Sequence, residues 1–133
     1  MRKDLFNAIK TKLASDVPEV KHIDLWNHNV EFIEQEDMWE RPAVFVEFGK
    51  IEWAPFQGGS QRGRGIVTIH LVTDWTEGGH DVAFDLSHRV YKALDGLSGE
   101  SFNGLSLVET NTNHNHEEIL ESIDSYAVRY LLR

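Results

Sequence analysis

Two stretches of alternating apolar residues set the limits of what this chain can fold into. Pro42–Gly49 reads PAVFVEFG and Gly65–Trp75 reads GIVTIHLVTDW. Successive side chains of a strand point to opposite faces. Ala43 and Phe45 therefore point one way, and Val44, Val46 and Phe48 the other. In the second stretch Val67, Ile69 and Leu71 oppose Ile66, Thr68, His70 and Val72. Apolar residues on both faces predict a sheet that is covered on both sides. Residues 54–64, Ala-Pro-Phe-Gln-Gly-Gly-Ser-Gln-Arg-Gly-Arg, lie between them. They predict a long hairpin with a glycine-rich, mobile arm bearing Arg62 and Arg64.

The remaining elements follow from period and punctuation. Leu5, Ile9 and Leu13, with Phe6 beside them, make one apolar stripe of a helix over residues 2–15. Pro18 ends it, because proline neither continues a helix nor leaves its predecessor free. Residues 20–27 alternate Ile23 and Leu25 against His22 and Asp24 as a half-buried strand, and Phe32-Ile33 can form a further short one. After Gly78-Gly79, residues 80–95 read as a second helix, with Val82, Leu86, Val90 and Ala93 as its core stripe. Asp81, Asp85, His88 and Lys92 make its polar face, and Gly96 and Gly99 punctuate its end. Phe84, Tyr91 and Leu94 widen the apolar arc beyond one core contact, so this helix is expected to be buried on two sides. Residues 104–112 and 119–132 are the closing strands, joined by a turn over 113–118. The order α-β-(β)-β-β-α-β-β predicts an α+β fold, a mostly antiparallel sheet packed by two helices. Its 133 residues suggest one domain.

Composition narrows the function classes. At 41% hydrophobic the chain can bury a sizeable core, yet no apolar run approaches the ~20 residues of a bilayer span. The polar opening Met1-Arg-Lys-Asp lacks a signal-peptide core. The absence of cysteine excludes disulfides, thiolate zinc sites and cysteine nucleophiles, and suits synthesis in the cytoplasm. A net charge of −9 disfavours sequence-reading nucleic-acid binding. The charge is uneven. Arg2, Lys3, Lys10 and Lys12 cluster in the first helix, while residues 31–40 and 109–124 hold acids without bases. These stretches read as solvated faces, or as acidic and basic surfaces that orient copies or partners.

Residues that could carry chemistry are sparse. His114, His116, Glu117 and Glu118 share one turn with Asp124 downstream, but the spacing matches no standard metal motif. Asp81, Asp85 and His88 share a helix face that could hold a metal or an acid/base pair, though Lys92 closes it as an ordinary polar face. His70 reads as a partly buried structural histidine. Gly58, Gly59, Gly63 and Gly65 with Arg62 and Arg64 resemble a phosphate-cradling loop, but they join two strands and precede no helix. No serine has a nucleophile-elbow setting. The expectation is therefore no catalytic residues, no cofactor and no metal. Trp53, Phe56, Gln57, Arg62 and Arg64 are the candidate partner-binding residues of the arm, and Phe84 and Tyr91 those of the second helix.

In the order of its elements the whole chain resembles the tail terminator, or tail-completion, proteins of long-tailed bacteriophages and prophages. The first helix leads to RPAVFVEF (Arg41–Phe48), the hairpin arm and GIVTIHLV (Gly65–Val72). DVAFDLSHRVYKAL (Asp81–Leu94) and two strands complete it. The resemblance implies a structural assembly protein without enzymatic activity. It would form a homo-oligomeric ring, usually a hexamer, on the head-proximal end of the tail tube. That ring would stop tube growth and present a surface to the neck proteins, and DNA would pass through it unread. Assembly would take place in the bacterial host cytoplasm, with the protein ending in the virion tail or neck. The alternative is a small ligand- or metal-binding or enzymatic α+β domain, built on the His114/His116/Glu117 turn or the Asp85/His88 face.

Overall fold

The computed structural model describes residues 2–26, 40–74, 79–113 and 119–133. Helix α1 (Arg2–Asp16) precedes strand β1 (His22–Leu25). The long hairpin of β2 (Ala43–Pro55) and β3 (Gln61–Asp74) follows, then helix α2 (Gly79–Leu94), β4 (Phe102–Asn113) and β5 (Ile119–Leu132). The five strands form one sheet in the order β1-β2-β3-β5-β4. Among the described strands only the β1–β2 pairing is parallel. This is the α+β architecture that the alternation of residues anticipates. The additional strand expected at Phe32-Ile33 and the turn with His114, His116, Glu117 and Glu118 lie outside the described residues, as do Trp39 and Trp75.

Strand parity assigns the two faces. Val44 and Val46 of β2, Val67, Ile69 and Leu71 of β3, and Tyr126, Val128 and Tyr130 of β5 pack with Leu5, Ile9 and Leu13 of α1. Leu86, Val90, Ala93 and Leu94 of α2 join the same core. Both helices therefore cover one face. On the other face Ala43, Phe45, Val72 and Ile119 form a smaller cluster with Trp26 against it. A paired Arg89–Glu19 contact, its second bond 3.1 Å long, ties α2 to the segment after α1.

Two expectations change register. The core stripe of α2 is Ala83, Leu86, Val90 and Ala93, whereas Val82 is 55% exposed. Alanine brings the helix backbone closer to the core than valine would, and a scale that ranks side chains by hydrophobicity favours the wrong neighbour. Leu94 belongs to the main core, and Tyr91 is half-buried against it rather than on a separate patch. The acidic stretch 109–124 is not one solvated face either, since Glu121 and Asp124 are buried.

The hairpin arm also differs from a loop. β2 runs to Pro55 and β3 begins at Gln61, so only residues 56–60 lie outside the ladder. Glu52 pairs with Arg64, Trp53 with Gly63 and Ala54 with Arg62. On its other side the same stretch pairs with β5, Gln61 with Leu132 through Gly65 with Val128. A register shift between Phe48 and Ile51 marks the junction of arm and sheet body. Gly58 and Gly59, with φ of 67° and 81°, turn the tip. Gly63 has another role. A Cβ there would come within 2.8 Å of the Trp53 ring and 2.9 Å of Ile51. The missing side chain lets both lie flat across β3.

Candidate functional site

The face of the sheet opposite the helices divides into two halves. Its upper half carries a polar ladder that runs from buried Glu121 and His70 to exposed Glu47. His70 Nδ1 lies 2.6 Å from Glu121 Oε2, and Nε2 lies 2.7 Å from Glu47 Oε1. Both ring nitrogens lie within hydrogen-bond distance of a carboxylate, so the ring bridges Glu47 and Glu121. Trp26 stacks on the ring at 3.9 Å between centroids and an interplanar angle of 4°. Asn113 donates to the second oxygen of Glu121 at 3.0 Å. Glu–His–Glu arrangements suggest acid/base catalysis, but this histidine is 5% exposed, has both ring nitrogens engaged by carboxylates and is capped by an indole. What the arrangement can do is lock β2, β3 and β5 together. Sequence reading saw His70 as structural but missed both partners, because register alone brings Glu47 and Glu121 to it.

The lower half is open and basic. β3 places Arg62, Arg64 and Ile66 on one side of the ribbon, and strand pairing sets Arg129 directly across from Arg64. All four residues are exposed. The groove between the three arginines and Glu52, Trp53 and Ala54 encloses about 550 Å³. Like charges facing each other across a ladder are unfavourable. Glu52, opposite Arg64 on β2, instead pairs with Lys50 at 3.4 Å. Arg62 lies over the Phe56 ring, 5.0 Å from its centroid, a cation–π contact at the base of the tip.

The residues singled out from sequence therefore fall into three places. Phe56, Gln57, Arg62 and Arg64 gather at the tip and on the open side of the arm. Trp53 borders that groove, but its ring lies on the helix side, 6.3 Å from the Tyr130 ring. Phe84 and Tyr91 sit on α2, on the far side of the sheet, so the two candidate surfaces are separate. Arg129 escaped sequence reading, because its strand alternates aromatic and polar residues without showing which neighbour it faces.

The helix-side core holds two further anomalies. The hydroxyls of Tyr126 and Tyr130 are buried and meet no hydrogen-bond partner among the described residues. Burial raises both phenols, Tyr130 to about 12. Asp124 is also raised by burial, opposed by the 2.7 Å hydrogen bond it accepts from Thr110. Among the described residues no group of histidines and acids has metal-ligand geometry, and Asp81, Asp85 and His88 are exposed on α2. No helix among them is long and apolar enough to cross a membrane.

No protein-family model matches the chain, and no curated protein matches it in sequence. Solved structures do match its fold. One is a chain from the virion of a native gene transfer agent (GTA) particle. It superposes with a TM-score of 0.67 at 14% sequence identity. The match covers 98% of this chain and 96% of that one, so the two share one fold from end to end.

Proposed function

We propose that this chain is a structural component of a phage-like virion and acts as a tail terminator. In this reading it caps the head-proximal end of the tail tube, stops tube growth and joins the tail to neck proteins. The observation that carries it is the reciprocal fold match with a gene transfer agent virion chain, which leaves almost nothing of either chain unmatched. Support also comes from the sites themselves. The His70 ring is itself buried beneath Trp26, and the open groove is lined by charge and apolar surface suited to a protein partner. Copies of the chain would form a ring, with the arm and α2 meeting neighbours or the tube. Immunogold labelling of purified particles tests this placement. Label at the head–tail junction is expected, and particles free of label would overturn it.

A further inference from the structure

The chain carries a net charge of −9, yet one half of a sheet face presents three arginines in adjoining register. Arg64 faces Arg129 across the ladder, and Arg62 follows two residues along the same strand face. None of the three has a carboxylate within ion-pair distance among the described residues. Holding cations together without a direct ion pair costs free energy in the isolated chain, and Glu52, opposite Arg64, pairs with Lys50 instead. An incoming carboxylate surface would remove that cost and gain bidentate geometry from the guanidiniums. Exposed Ile66 beside them gives the patch the mixed arginine and apolar character of protein interfaces.

The chain carries a matching surface of its own. Asp81 and Asp85 lie one turn apart on the exposed side of α2 and Asp95 lies just past its end; Lys92 is beside them, and the charge of nearby Arg89 is met by Glu19. α2 covers the opposite side of the sheet from the arginines. We propose that the Arg62–Arg64–Arg129 face of one copy docks on the Asp81–Asp85–Asp95 stripe of the next. Because the two surfaces lie on opposite sides of the same sheet, the contact is head-to-tail rather than twofold. Such contacts close into rings or run on as filaments. DNA is the other polyanion three arginines could meet, but the overall acidic charge opposes its approach.

This contact deepens the assembly reading and rests on it, while its test is independent of particle imaging. Sedimentation velocity is run on the full chain in about 50 mM and about 500 mM NaCl. The wild type is expected to self-associate at low salt and dissociate at high salt. R64E/R129E and D85R/D95R should each weaken association by about tenfold or more. Mixing the two variants should restore it, because each then finds its complement. Circular dichroism melting confirms that both variants fold. A wild type that stays monomeric, or association indifferent to salt and to both variants, would overturn the proposal. So would failure of the mixture to reassociate. Binding of a short fluorescent DNA duplex, lost in R64E/R129E, would reassign the face to nucleic acid. If association behaves as expected but immunogold finds no label on particles, the contact stands and the tail-terminator reading fails.

Discussion

Tyr126 and Tyr130 bury their rings against α1 and α2 and leave their hydroxyls without partners among the described residues. An unmet buried donor costs about 1–3 kcal/mol, whereas the ring itself contributes as any aromatic does. Tyr126→Phe is therefore expected to raise stability by about 1 kcal/mol, read as a higher midpoint in urea unfolding. A fall of similar size would mean that the hydroxyl has a partner. Asp124 makes a different case. Its folded-state pKa lies above the unfolded value, so its contribution is present in acid and is lost as pH rises through the folded pKa. At neutral pH it is a carboxylate held where ionisation is disfavoured. Asp124→Asn keeps an acceptor for Thr110 and should raise the melting temperature near neutral pH. The two proteins should converge below the ~3.9 of an unfolded aspartate. Equal melting temperatures across the whole range would contradict the assignment. None of these residues was legible as an anomaly in the sequence. Tyrosine in an apolar alternation looks like ordinary core, and Asp124 looks like one more acid in an acidic stretch.

At the scale of the element, β2, β3 and β5 show which sequence signals survive folding. Alternation identified their inward and outward residues because both faces of the sheet carry apolar clusters. Glycine misled. Gly63 and Gly65 read as loop punctuation, yet both lie in a ladder paired on two sides, clearing space for Trp53, Ile51 and Tyr130. Amide exchange should therefore be fast only around residues 56–60, and slow over Gln61–Gly65, where the mobile-arm reading expected the fastest exchange. Gly63→Val would drive its branches into the Trp53 ring and Ile51, which lie 2.8 and 2.9 Å from a bare Cβ. Overpacking of this kind costs about 1–3 kcal/mol. A melting temperature equal to that of the wild type would show that Trp53 swings away freely. In α2 the helix was legible and its rotation was not. Ala83 rather than Val82 faces the core, because close approach of the backbone outweighs side-chain area there.

At the scale of the molecule, the open basic half-face and the separate α2 surface give the subunit two unlike sides. The fold class could be read from the order of elements, because a run of strands bracketed by helices has few ways to bury its apolar residues. The site could be read only in part. Phe56, Gln57, Arg62 and Arg64 are adjacent in sequence and remain together at the arm, but Arg129 and the Glu47–His70–Glu121 ladder depend on long-range register. The tail-terminator reading makes a claim about length control that electron microscopy of negatively stained lysates can measure. The gene is deleted from a strain that produces the particle, and the distribution of tail lengths is compared with that of the parent. The account predicts tails that run past the parental length with a broad distribution and carry no heads, restored by supplying the gene in trans. Tails of parental length joined to heads in the deletion strain would contradict it.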